Sequence, residues 1–530
     1  MSGGQALVRA GLVVSGAFLI SRVLGYVRIL VIGHMVGEGP VTSANLDAFF
    51  AAFRLPDLIF QLVAAGALSS ALIPIVSGLL AKDEQQRAWR MVSTVINLML
   101  IALAALAIAL FILAPTVMRA ITPGFDQAQL DHTVELTRIM LLGPIFLALG
   151  AVATSVLNSA GRFAASAVAP IVYNLAIIGA ALLLGPTLGV EALAIGVVAG
   201  SLGHLLVQIR PLGRLGFRYE PRIDGHDPLA RKALVLMGPR AVGLGATQIT
   251  FIVVTALAST LGVGVVSDFT FAFTLLQIPL GIIGVPLGIV VLPSLSRDAA
   301  QGHETAFVAL LTRALRLLVF VMVPIAVLTA VLRQQVVELL FGGSQIGDQH
   351  LALIATTLAS FLVGLVAHAM IAVLARAFYA RQDTLTPVLA AIGAVAINCT
   401  LAVVFVGPLH LGLSGIALAI AIAAWVEATA LLVILRIQLP HFHLTGLGRV
   451  GIEAILGGTV AGAAAAGLLQ ILGGLVGLDP AWPVQVLEIA VVSAGFGLVY
   501  TVVSLALRIP ELPTIVRVMT DVLRRRPARS

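Results

Sequence analysis

A single cysteine, Cys399, in 530 residues excludes a disulfide framework and any cysteine-based metal cluster. Charge is also scarce. Only 10% of positions are Asp, Glu, Lys or Arg, 60% are apolar, and mean hydropathy is +1.09. A soluble chain of this length could not cover so much apolar surface, so the composition defines a polytopic membrane protein. Lysine is nearly absent: 29 of the 31 basic residues are arginine, and the formal net charge is +7. In a membrane chain such an excess marks the loops of one side, and no nucleic-acid partner is expected. No G-x-x-x-x-G-K-[ST] sequence occurs, which excludes a P-loop ATPase, and there is no H-E-x-x-H. His441 and His443 in "PHFHLTG" have no further ligands nearby in sequence and read as an interfacial loop. Asp83-Glu84, flanked by Lys82 and Arg87, is the best acidic pair for a magnesium site and reads as a solvated loop. No cofactor and no enzymatic activity are expected. The first apolar run is interrupted by Arg22 and lacks a small-x-small cleavage site, so no cleavable signal peptide is expected.

What the chain does have is apolar runs. A spanning helix needs about 20 mostly apolar residues, and about fourteen segments qualify. They fall near 11–36, 46–81, 91–118, 131–158, 164–185, 188–209, 233–262, 266–295, 305–332, 350–376, 384–407, 411–436, 450–474 and 483–508. The second is too long for one straight span and contains Pro56 and Pro74, so a bend or break is expected there. Alternating the loops between two sides places 22 basic residues on one side and only Arg119 and Arg333 on the other. By the positive-inside rule the rich side is cytoplasmic and holds both termini, including the basic tail "RRRPARS".

The chain also repeats itself at an offset of about 220 residues. "GPTLGVEALAIG" (Gly185 to Gly196) matches "GPLHLGLSGIALA" (Gly407 to Ala419), and "FFAAFRLPDL" around Phe53 aligns with "FTFAFTLLQI" around Phe273. That offset spans six predicted helices, an even number, so the repeats share one orientation about an axis along the membrane normal. The expected organisation is all-α: one six-helix lobe over 1–222, a second over 223–440 facing it across a cavity, and two further helices with the basic tail over 441–530. The eighth span carries Pro279, Pro286 and Pro293 at seven-residue spacing, with Gly281, Gly284 and Gly288 between them. Kinked backbone of this kind either lines a cavity or permits close helix packing, here through Gly284-x-x-x-Gly288.

Charges inside spans are the candidate site. "FLISRVLGYVRILVIGHMVG" (Phe18 to Gly37) holds Arg22 and Arg28, and an arginine at the centre of a span costs about 2.5–3.5 kcal/mol to insert. Six residues apart, they differ by about 120° in direction and about 9 Å in height, so both reach one ligand only across a wide cavity. The second span adds Asp47, Arg54 and Asp57. Further candidates are Glu135, Arg138, Arg240, Gln248, Gln277, Arg313, Arg316 and Glu427, with Asn97, Asn174 and Asn398. Snorkelling, or an Asp–Arg pair such as Asp47 with Arg28, accounts for some of these without transport. The functional alternative is a cationic cavity for an anionic headgroup, since the arginine fork pairs with phosphate oxygens at two points.

"SRVLGYVR" (Ser21 to Arg28), "LDAFFAAFRLPDLI" (Leu46 to Ile59) and "GALSSALIPI" (Gly66 to Ile75) strongly resemble the MurJ (MviN) family of lipid II flippases. "GVPLGIVVLPSLS" (Gly284 to Ser296) and "ARAFYARQDTLTPV" (Ala375 to Val388) fit the same family. The resemblance implies fourteen helices, two lobes and movement of the undecaprenyl-pyrophosphate-linked peptidoglycan precursor to the outer leaflet of the bacterial inner membrane. It also implies association with the cell-wall synthesis machinery. Carried over by motif, the substrate-binding charges are Arg22, Arg28, Asp47 and Arg54, with Arg138, Arg240 and Gln277 as further cavity contributors. Where family members carry cavity charges, this chain has Phe60, Thr274 and Gln277, and Ile29 follows the second arginine of the first span. These departures keep open a flippase for another polyprenyl-linked oligosaccharide, used for capsule, O-antigen or a surface polymer. A non-transporting scaffold in envelope assembly also stays open. A cation antiporter is disfavoured, because the first-lobe candidates are mainly arginines.

Overall fold

A computed structural model describes residues 3–35, 41–63, 67–221, 223–224, 227–344, 346–476 and 481–513. Side chains at 3–15, 63, 67–71, 234, 236–244, 246 and 475–476 fall outside that description. Among the described residues every regular element is helical. Contacts divide the chain into two compact units, residues 1–271 with 344–347, and residues 272–343 with 348–530.

The first unit contains α1 (Gly3–His34), α2 (Ser43–Ala52), α3 (Arg54–Val63), α4 (Ala67–Leu80), α5 (Gln85–Ile121) and α6 (Gln127–Met140). It continues through α7 (Leu142–Ser159), α8 (Phe163–Leu188), α9 (Val190–Gly213), α10 (Pro228–Ser259) and the start of α11 (Val265–Pro279). After α11 the second unit continues with a π-helical turn (Leu280–Gly284), α12 (Val285–Ala300), α13 (Glu304–Val331), α14 (Arg333–Phe341) and α15 (Asp348–Leu362). It ends with α16 (Leu365–Ala380), α17 (Leu385–Val406), α18 (Gly412–Gln438), α19 (Thr445–Val476) and α20 (Trp482–Ala506). The 222/223 boundary separates sequence repeats. The contact boundary falls later, at Phe271, because α10 packs against α3, α4 and α5.

Eleven described helices are long and apolar enough to cross a bilayer, and twelve if α15 and α16 form one span bent by 47°. The other two of the fourteen expected segments are 46–81 and 233–262. The first is broken into α2, α3 and α4. The second is α10, whose described apolar part is Thr247–Ser259. Pro56 falls in the first turn of α3, where its missing N–H costs little, and Pro74 lies inside α4. The α15–α16 bend has a visible cause. Gly364 lies so close to Ala421 that a Cβ would meet its Cα at 2.7 Å, and the Trp425 indole donates to the Val363 carbonyl at 2.8 Å.

Prolines inside the long helices free a carbonyl four residues earlier, and at two of them a tertiary partner takes it up. Pro115 leaves the Phe111 carbonyl without a helical donor, and Arg138 Nε donates to it at 3.1 Å. Pro324 does the same to Phe320, whose carbonyl accepts from the Tyr500 hydroxyl at 2.9 Å. Tyr500 belongs to a core with Phe320, Val450, Val492 and Phe496. Helix α5 has 37 residues, about 55 Å, so it extends beyond a bilayer. Its early polar residues hold the connection after α9. Ser93 accepts from Glu220 N at 3.1 Å, the Tyr219 hydroxyl donates to Asn97 at 2.5 Å, and Asn97 donates to Glu220 O at 3.1 Å.

In the second unit the Pro/Gly-rich span shows the close-packing alternative. A π-turn follows Pro279, and α12 packs closely on α16. A Cβ at Gly288 would meet the Ala372 carbonyl at 2.8 Å, and one at Gly284 would meet Ala369 Cα at 3.3 Å. Gly288→Ala is therefore expected to cost about 1–3 kcal/mol of overpacking. Thermal unfolding of the purified variant checks this; an unchanged midpoint would show that α12 and α16 can separate freely.

Candidate functional site

Helix α1 carries Arg22 and Arg28, and Asn174 of α8 pins it by donating to the Ser21 carbonyl at 3.4 Å and to Pro170 O at 3.0 Å. The two arginines line different cavities. Arg28 borders a cavity of about 310 Å³ with Phe53, Asp57, Phe60, Pro170, Tyr173 and His204. Arg22 borders one of about 300 Å³ with Phe18, Ser21, Thr154, Asn158, Ser166 and Pro170. Pro170 is on the wall of both. Each guanidinium stands over an aromatic ring, Arg22 at 5.2 Å from the Phe18 centroid and Arg28 at 5.9 Å from that of Tyr173. Such contacts favour a cation away from water by about 0.5–2 kcal/mol and offset part of its insertion cost.

Around the Arg28 cavity a polar cluster is built from three helices. The break at Phe53 starts α3 so that Arg54, Asp57 and Gln61 follow at three- and four-residue steps along one side. Arg54 Nε donates to Thr255 Oγ1 of α10 at 2.9 Å, and its guanidinium lies 5.3 Å from the Phe251 centroid. Asp57 accepts from Gln248 Nε2 at 3.0 Å and interacts electrostatically with Arg54 and Arg28. Two arginines against one carboxylate leave the cluster with one excess positive charge, which suits an anion at membrane depth. The cavity has room for a pyrophosphate but not for a whole glycan–peptide headgroup in this conformation.

The other predicted residues fall elsewhere. Asp47 is fully buried in α2 and accepts from Gly264 N at 2.6 Å, Ser267 N at 2.8 Å and Ser267 Oγ at 2.6 Å. Its carboxylate therefore caps the N-terminus of α11 and has no ligand-facing side in this conformation. The Asp47–Arg28 pair does not form. Arg138 is committed to the Phe111 carbonyl and ring on α5, and Arg316 to Glu511 in an ion pair of 2.7 Å. Gln277 and Arg313 are exposed in the second unit. The side chain of Arg240, and the tail from residue 514 onward, lie outside the described residues. His443 bonds within its own loop, to His441 O at 2.8 Å, and no metal-binding group occurs among the described residues.

Phe60 lies on the wall of the Arg28 cavity and makes that part of it apolar. His204 is the residue that sequence patterns missed. It lines the same cavity, with Nδ1 buried and without a hydrogen-bond partner, packed against Gly150, where a Cβ would collide with its ring. A histidine alone inside an apolar span was the available signal.

Many helices of spanning length define an integral membrane protein, and two arginines of its first helix each line a cavity. The sequence model described as "Lipid II flippase MurJ" matches residues 39–478. The chain is 33% identical over 438 residues to the lipid II flippase MurJ of Burkholderia cenocepacia, covering 81% of this chain and 84% of that one. It is 32% identical over 439 residues to the probable lipid II flippase MurJ of Rhizobium tropici, covering 81% of each. A solved structure of lipid II flippase MurJ in an inward closed conformation superposes with a TM-score of 0.78 at 21% identity, over 94% of this chain and 99% of that one. The chain belongs to the MurJ lipid II flippase family.

Proposed function

We propose that this protein carries lipid II from the cytoplasmic to the outer leaflet of a bacterial inner membrane, with both termini on the cytoplasmic side. The Arg28 cavity holds the pyrophosphate and is exposed alternately to the two faces. The observation that carries this reading is the placement of Arg28 on the cavity wall with Asp57, and of a second arginine, Arg54, against the same carboxylate, so that the three-residue cluster keeps one excess positive charge. A scaffold has no use for a charge held there against its insertion cost. Arg22, in the adjoining cavity across Pro170, is positioned to meet the same anionic group on its way in or out.

Rescue of a bacterium depleted of its own lipid II flippase tests this. The wild type should restore growth, and Arg28→Ala and Arg22→Ala should fail at equal membrane abundance. Tolerance of both substitutions would favour the scaffold. Failure of an abundant wild type would favour another polyprenyl-linked glycan, a reading that rests on the apolar Phe60 in the cavity wall.

A further inference from the structure

A second cavity of about 690 Å³ lies in the second unit, between α14, the first turn of α15 and the first turn of α20. Its walls include Gln334, Glu338, Leu339, Asp348, Trp482 and Gln485. The connections from α13 to α15 and from α19 to α20 both belong to the arginine-poor side of the alternating pattern, the face where a flipped headgroup would emerge. Nothing in the pyrophosphate cavity accounts for this cleft.

Its chemistry narrows the ligand. Two carboxylates repel an anion, and no third His, Cys, Asp or Glu joins them to form a metal site among the described residues. Trp482 is 66% exposed, a large flat apolar surface at a polar rim. A pyranose ring matches this combination: one face of C–H groups to lie on an indole, and a rim of hydroxyls for side chains that accept and donate. Glu338 and Asp348 accept from hydroxyls, while Gln334 and Gln485 can both donate to and accept from an acetamido group. The volume suits two sugar rings. An interfacial tryptophan also serves as a membrane anchor. That role explains Trp482 but not the amides and carboxylates facing the same space.

We propose that this cleft is a saccharide-binding site for an N-acetylhexosamine disaccharide, engaged on the outward side as the headgroup arrives. The choice of sugar rests on the lipid II reading above. The test uses the full chain in nanodiscs, with soluble di-N-acetylchitobiose as the probe and saturation-transfer NMR as the readout. Saturable binding is expected for the wild type. Trp482→Ala and Glu338→Gln should each weaken it by about tenfold or more, which is the loss of one stacking or charged hydrogen-bond contact. Trp482→Phe should retain it. Thermal unfolding of each variant should match the wild type, and Gln334→Ala, at an exposed position, supplies a second probe if a variant fails to fold. No binding by folded wild type would overturn the proposal, as would unchanged affinity in folded Trp482→Ala. Binding without rescue in the depletion assay would sink the flippase reading and leave the saccharide site standing. Rescue without binding would do the reverse.

Discussion

Asp47→Ala is expected to destabilise the first unit strongly, at roughly 2–4 kcal/mol. Three hydrogen bonds to one carboxylate disappear, and the amides of Gly264 and Ser267 are left buried without an acceptor. Each charged hydrogen bond contributes about 1.5–3 kcal/mol, though the three share one group and do not add. Asp47→Asn keeps an acceptor oxygen and should lose less. Thermal unfolding in detergent, run beside the rescue assay, separates two roles for this residue. A large drop in midpoint together with failed rescue fits the cap on α11. Failed rescue with an unchanged midpoint would mean that Asp47 acts on the substrate after all.

The second large effect is expected at Asp57. Asp57→Ala removes the carboxylate facing Arg54 and Arg28 and strands Gln248 Nε2. Removing one partner of a fully buried charge pair costs about 3–5 kcal/mol; Asp57 and Arg54 are half-buried, so a loss at the low end, about 3 kcal/mol, is expected. The double variant Arg54→Met with Asp57→Leu removes opposite charges together and should recover more than half of that loss. A double-mutant cycle on unfolding midpoints measures it. Strict additivity of the two single changes would show that Arg54 and Asp57 do not sense each other. The double variant should still fail to rescue if the cavity needs both Arg28 and a polar wall.

These expectations depend on knowing which charge meets which partner, and there the chain's pattern had clear limits. Arg22 and Arg28 stand out in any reading, because hydropathy around them is high and arginine in a span is costly. That they face different cavities follows from the rotation of α1, which Asn174 and the packing on α8 decide. Asp47 is equally visible as a charge, yet its partners lie 217 and 220 residues further along, at a helix start that no local pattern links to it. Arg138 looks like a cavity contributor until Pro115 is seen to free the Phe111 carbonyl beside it. His204 and Asp57 gained their importance only by lining the Arg28 cavity.

The sequence by itself determined that the chain is a multi-span helical membrane protein. It also determined about where each span lies, that the second span breaks, and which motifs place the chain in its family. Those properties depend on local apolar length, on proline chemistry and on the cost of unpaired backbone groups in lipid, all of which act within a few helical turns. The tertiary structure alone decided that Asp47 caps α11, that Gly364 and Trp425 bend the tenth span, and that Arg28, Asp57 and Phe60 share one wall. Each of these needs two segments brought together from far apart in sequence, and in a bilayer that docking is set by close packing and polar satisfaction, because lipid tails solvate an apolar face as well as another helix does.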